Sequence, residues 1–283
     1  MNSKIPNIFS IDVEEWFHIM EHPAVPGIER WDSLQPTLEK SFNMLLDLCG
    51  KHDTAGTCFF LGWAARKYPH LVKEAGRRGF EVASHGNNHR AIYKQTPGEF
   101  FEDISSAKKF LEDLTGKTVY GYRAPGFSIT NRTEWAFEKI VEAGFTYDSS
   151  VFPASRGHGG YITDNLGPHR IKTASGDLIE IPISVAGVMG KRVCFFGGGY
   201  FRLFPYRIIK RMTQAINNEN RPAVFYIHPR EIDPGHPRLK LGVVRNFKSY
   251  VNLKKTGVKV EKLLTDFRFC PFKEWIDNYF ING

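Results

Sequence analysis

The chain has 283 residues, 42% of them hydrophobic and 24% charged, with a formal net charge of +8 and a pI of about 9.2. This length and composition suit one large globular unit and exclude wholesale disorder. No apolar run reaches the roughly 18 residues that cross a bilayer, and the N-terminus lacks a signal-peptide apolar segment.

Four cysteines, Cys49, Cys58, Cys194 and Cys270, are scattered without CxxC spacing, so buried free thiols are expected. With no secretion signal, these point to a reducing, cytoplasmic location. The 23 Phe, 11 Tyr and 5 Trp fill a core or offer sugar-stacking faces. Basic residues concentrate from Arg238 to Lys262. They read either as a solvated helical face or as an attraction to anionic sugars and the membrane surface. No nucleic-acid-binding motif accompanies them, so nucleic acid is not expected as a partner.

Along the chain, short apolar runs end in polar or reactive residues. The first, Ile8 to Val13, carries Asp12 and runs into Glu14 and Glu15. Period-two alternation places Asp12 and Glu14 on one face, with Val13 turned to the core. A metal pocket and an acidic turn capping the next helix are both open readings. Glu15, on the opposite face, reads as structural unless the chain bends. The helical pattern Leu38-Phe42-Leu45-Leu46-Leu48 follows, then a run from Thr57 to Leu61.

The run Phe80 to Ser84 leads into His85 and His89, which a helical turn at Gly86 would place on one side. Two histidines and a carboxylate are a common ligand set for a catalytic divalent ion. Next come a helical pattern over Phe100–Leu111, a run from Val119 to Arg123, and a helix over Trp135–Val141 ending at Gly144. Arg123 is placed to pair with Asp12 and keep it ionised. The run Phe145 to Asp148 offers a carboxylate that either raises the pKa of a histidine or caps a helix. A long loop is expected over 155–176, then strands over Leu178–Ser184 and Ala223–His228. His228, at the end of the most apolar run, is placed for proton transfer, although such a histidine is often structural. Strands alternating with helices predict an α/β fold with parallel strands and reactive residues at their C-terminal ends.

This ordered set resembles the polysaccharide deacetylase family, carbohydrate esterase family four. Its carriers are Asp12/Glu14, Thr57-Cys58-Phe59-Phe60, Ser84 to His89, Arg123 to Pro125, Asp148 and Ile227-His228. The stretches Gly197 to Arg202 and His228 to Pro234 are similar to deacetylases encoded with bacterial exopolysaccharide genes. The family's commonest first motif has adjacent Asp residues; Asp12-Val13-Glu14 instead resembles its branch without secretion signals.

The resemblance implies a distorted (β/α) barrel of about seven parallel strands in a single catalytic domain over 1–283, with a helical extension from about 236. It makes Asp12 the base and Glu14, His85 and His89 the ligands of one divalent ion, Zn²⁺ or alternatively Co²⁺. His228 becomes the acid, kept cationic by Asp148, and Arg123 orients Asp12. Gly126, Phe127 and Tyr200 become oxyanion- or substrate-binding residues. The implied reaction removes an N-acetyl group from a saccharide or a cytoplasmic glycan precursor, with the basic C-terminal region near the membrane. Two alternatives stay open: hydrolysis of a cyclic imide or ureide on the same fold, and non-catalytic glycan binding. Sequence does not assign the oligomeric state.

Overall fold

The protein is described from a computed structural model covering residues 5–20, 22–154, 159–188 and 190–281. Residues 1–4 of the N-terminal stretch, and 155–158 of the expected loop, lie outside the described residues. The first half contains β1 (Asn7–Val13), α1 (Leu38–Gly50), β2 (Thr57–Phe60), α2 (Gly62–Lys67), α3 (Pro69–Arg77), β3 (Glu81–Ser84), α4 (Pro97–Thr115), β4 (Gly121–Tyr122), α5 (Trp135–Glu142) and β5 (Tyr147–Asp148). The second contains β6 (His169–Thr173), β7 (Gly176–Glu180), β8 (Ala186–Val188), β9 (Lys191–Val193), α6 (Gly198–Leu203), α7 (Tyr206–Asn218), β10 (Val224–Ile227), α8 (Val243–Tyr250), α9 (Thr256–Asp266), β11 (Phe269–Cys270) and α10 (Phe272–Trp275).

Local sequence accounts for the clearest helices. Leu38, Phe42, Leu45, Leu46 and Cys49 form the buried stripe of α1. α4 opens with a capping box between Thr96 and Glu99, has Pro97 at its first turn, and ends at Gly116 in the left-handed region (φ 66°). The cap of α1 is not local. Glu15 reaches across to accept from the backbone N–H groups of Thr37 (3.0 Å) and Leu38 (3.1 Å), and from the Tyr68 hydroxyl. That carboxylate neutralises orphan donors at the helix start, so Glu15 is structural.

Neighbouring strands run in the order β10-β1-β2-β3-β4-β5-β7, all parallel, with β6 added antiparallel to β7. These seven parallel strands are the ones expected from the apolar runs. Beyond β7 the chain turns back toward β10, where the Ser184 hydroxyl accepts from Val224 N–H at 2.9 Å. The 155–176 region is not all loop: β6 lies within it and pairs with β7 as a hairpin.

Parity along the strands separates two cores. Phe9, Ile11, Val13, Cys58, Phe60, Tyr122, Leu178, Phe225 and Ile227 pack toward the helices. Ile8, Phe59, Ala83, Tyr147, Ile179, Val224 and Tyr226 pack in the interior. The C-terminal region is built into that interior. Phe272 stacks on Tyr147 and meets Phe59 edge-on at 5.5 Å each, and β11 pairs with the start of β1. Several of its basic residues also serve the fold. Lys259 donates to the carbonyls of Phe201, Arg202 and Phe204, Arg245 donates to Met20 O, and Arg238 lies over the Tyr250 ring. Lys254, Lys255 and Lys262 remain exposed. Among the described residues no helix is long and apolar enough to cross a membrane. All four cysteines are free and buried.

Candidate active site and metal centre

The interior parity of β1, carried by Ile8 and Ser10, continues to Asp12 and then Glu14 just beyond the strand. Glu14, His85 and His89 bring one ligand atom each within 4.8 Å of one another. Glu14 Oε2 lies 2.6 Å from His89 Nε2 and 3.8 Å from His85 Nε2. These contacts lack hydrogen-bond geometry, and Oε2 is buried without a hydrogen-bond partner among the described atoms. Burial alone would raise the Glu14 pKa, but the surrounding His89, His228 and His85 hold it well below the usual carboxylate range.

The histidine tautomers suit a cation. His85 Nδ1 contacts the Arg123 carbonyl at 2.8 Å, which an Nδ1–H must donate to. Its Nε2 lone pair is thereby turned toward Glu14. Burial lowers the His85 pKa to about 4, so the ring is neutral at neutral pH. An oxygen left unpaired beside such a nitrogen is the donor set of a divalent ion, and the residues fit the expected metal.

The two histidines are not presented by a helix, as their spacing suggested. Residues 85–91 form an irregular turn in which Gly86 (φ 71°) and His89 (φ 52°) are both left-handed. The turn is braced by Asn87 N–H donating to Asp103 (2.8 Å) and by Gly62 N–H donating to Gly86 O (2.8 Å). Holding a non-glycine residue at positive φ has a conformational cost that the surrounding bonds must offset.

Asp12 sits beside this cluster. Arg123, fully buried, donates to Asp12 Oδ1 (2.7 Å), Ser10 Oγ (2.8 Å) and Ser149 Oγ (3.1 Å), and lies 4.1 Å above the Phe59 ring. Asp12 Oδ2 faces His228 Nε2 at 3.9 Å, and Glu14 Oε1 lies 3.6 Å from the same nitrogen.

The structure corrects the partner expected for His228. Its Nδ1 contacts Glu231 Oε1 at 3.0 Å, on the turn that follows β10. Burial by itself would lower the His228 pKa; the bond to Glu231 and the charges of Glu14 and Glu231 outweigh it and the net shift is upward. Asp148 instead accepts from the Ser150 hydroxyl (2.6 Å), whose oxygen accepts from Ala124 N–H (2.8 Å), and it sits in register with Glu180. The reason is parity. Tyr147 faces the interior, so Asp148 faces the helices, and the residue that reaches Arg123 from this strand is Ser149.

Burial and the Asp148 charge push Glu180 well above the usual carboxylate range. The folded state then holds a proton that the unfolded chain has released above about pH 4.5, so stability falls as pH rises from there toward the folded pKa. Replacing Glu180 with Gln is expected to flatten that decline without loss at neutral pH. Urea midpoints measured across pH 5–8 that stay parallel to the parent's would refute it.

Of the remaining expected residues, Gly126 lies in the turn after Arg123 with φ 62°, where a Cβ would meet Met20 Cγ at 2.6 Å. Phe127 is 4% exposed and packs against Phe152 and Tyr226, so it fills the turn instead of offering a ring to substrate. Tyr200 is 38% exposed on α6, and no described contact brings it to the metal ligands.

His18 and Glu231 were not anticipated. His18 stacks on His89 (5.4 Å between ring centroids) within a cluster of Phe17, Trp31 and Trp63, its Nδ1 accepting from Glu15 N–H. Its position four residues after Glu14 is a weak signal. The His-Pro-x-Glu spacing of His228 and Glu231 was the legible one.

Comparison with known proteins places this geometry. Residues 31–147 match the polysaccharide deacetylase model, and residues 149–277 match a domain of unknown function (DUF3473). A peptidoglycan deacetylase of Helicobacter pylori is 30% identical over 107 residues, 38% of this chain and 36% of that protein. A peptidoglycan-N-acetylglucosamine deacetylase of Bacillus cereus is 28% identical over 137 residues, 48% of this chain and 62% of that one. The matches therefore span between about a third and three fifths of these relatives.

Among solved structures, a Mycobacterium smegmatis protein described as a polysaccharide deacetylase superposes with a TM-score of 0.63 at 18% identity, covering 95% of this chain and 88% of that one. An allantoinase reaches 0.60 at 16% identity, covering 96% and 90%. Both likenesses establish the fold, a barrel-like α/β architecture. Residues 31–147 are thus similar to the polysaccharide deacetylase family, carbohydrate esterase family four, and residues 149–277 to a region of unknown function.

Proposed function

We propose that the protein is a metal-dependent hydrolase that removes an N-acetyl group from an amino sugar in a glycan or glycan precursor. The observation that carries this reading is the convergence of Glu14, His85 and His89 beside two separately braced proton-transfer groups, Asp12 and His228. The relatives named as peptidoglycan deacetylases support the same substrate class.

Glu14, His85 and His89 would hold Zn²⁺, with Co²⁺ as an alternative, and such an ion supplies Lewis acidity toward water and the acetyl carbonyl. Asp12, oriented by Arg123, takes the proton of the attacking water through Oδ2. The Gly126 N–H is the proposed donor to the developing oxyanion. His228 Nε2, with Nδ1 held by Glu231, delivers a proton to the sugar nitrogen as the C–N bond breaks. The new C–O bond makes acetate, and the sugar leaves as a free amine. The exposed Lys254, Lys255 and Lys262 support an anionic glycan precursor, at a membrane surface, as the substrate.

The test is acetate release from a panel of N-acetylated saccharides, with zinc-loaded and metal-stripped protein, and a cyclic ureide as comparator. Release that requires metal supports the proposal; turnover of the ureide alone replaces it with the amidohydrolase reading. His85→Ala is expected to lower zinc affinity by more than the roughly 10–100-fold that changes to outer contacts of a metal site cost. Zinc content per folded chain, measured after dialysis, checks this; an unchanged value removes His85 from the ligand set.

A further inference from the structure

The region of unknown function contributes His228 and Glu231, and behind them a third charged residue. Arg202, 1% exposed on α6, places Nη1 2.6 Å from Glu231 Oε1, the same oxygen that contacts His228 Nδ1. Its other nitrogens are anchored. Nε donates to Val251 O (3.2 Å), and Nη2 donates to Lys248 O (2.8 Å) and Ser249 O (3.0 Å). These carbonyls lie at the C-terminal end of α8, where backbone acceptors lack helical partners and a cation is favoured. Glu231 is completely buried, and a carboxylate there needs a fixed positive partner.

We propose that Arg202 is a positioning residue for His228, acting through Glu231, and that this is what the region of unknown function adds to the site. The guanidinium, clamped by the end of α8, meets Glu231 Oε1 as an ion pair without hydrogen-bond geometry, and so acts on the carboxylate as a fixed positive charge that keeps it ionised and drawn to that side. Glu231 then accepts from His228 Nδ1–H, which leaves Nε2 turned toward Asp12 and Glu14. A purely structural Arg202 would need only the three carbonyls, so its fourth contact is the distinguishing one. The inference rests on the reading of His228 as the proton donor for its kinetic part, but not for its structural part.

Two substitutions separate the roles. Arg202→Lys keeps a charge for Glu231 and loses most carbonyl contacts. Arg202→Gln keeps amide donors for the carbonyls and loses the charge. In full-length zinc-loaded protein labelled with ¹⁵N-histidine, the His228 signals, assigned by their loss in His228→Gln, should show the Nδ1–H form in the parent and in Arg202→Lys. They should leave that form in Arg202→Gln. On an N-acetylated saccharide turned over by the parent, kcat should fall about 10–100-fold in Arg202→Gln with KM within about twofold, and largely recover in Arg202→Lys.

Parental signals in Arg202→Gln overturn the inference, and so does equal kinetic damage in the two variants. If Arg202→Gln does not fold, Glu231→Met, which removes the acceptor and leaves the α8 contacts intact, must show the same change in the His228 signals or the inference fails. If the parent releases no acetate, the deacetylase reading falls, while the histidine spectra still decide whether Arg202 positions His228.

Discussion

Asp12→Asn is expected to lower acetate release by about 10²–10⁴-fold while leaving bound zinc unchanged. The Asn side chain can still present an oxygen to Arg123, which holds Oδ1 at 2.7 Å. Its amide nitrogen then replaces Oδ2, the atom facing His228, and an amide cannot take a proton from water. Asp12 is outside the Glu14–His85–His89 group, so the metal should stay. The measurement is kcat with zinc content on the same preparation. Parental turnover would remove Asp12 as the base, and joint loss of zinc and turnover would move it into the ligand set.

Arg123→Met should destabilise the fold by about 3–5 kcal/mol, the range for breaking a buried ion pair by deleting one partner. Arg123 is fully buried and Asp12 is 2% exposed, so water cannot replace the lost donor. The substitution also strips Ser10 and Ser149 of a donor and removes a cation from the Phe59 ring. Urea unfolding of the variant and parent at pH 8 tests this; a difference below about 1 kcal/mol would mean that the pair does not stabilise the fold.

The reactive residues were legible where they sit at strand ends. Asp12, Glu14, His85, Arg123 and His228 each follow an apolar run, and local alternation decides which of them share a face. Asp148 was misassigned although the same rule applied to it. Its neighbour Tyr147 is an inward residue, and parity alone turns Asp148 toward the helices and Glu180. A conspicuous carboxylate in the expected order obscured that. His89 was found by its spacing from His85, but the turn that presents it depends on Asp103 and on backbone bonds to α2, which no local pattern shows.

What the sequence determined by itself is the parallel α/β architecture and the end of the sheet at which the chemistry gathers. Periodicity and strand ends are properties of a few consecutive residues, so they survive without knowledge of neighbours. Only the tertiary structure decided which group holds which. Arg123 meets Asp12 across 111 positions, Glu15 caps a helix that starts 23 residues later, and Arg202 reaches the turn that carries His228 and Glu231. Buried charges take whichever partner packing brings within reach, and that is fixed by where strands and helices meet in space.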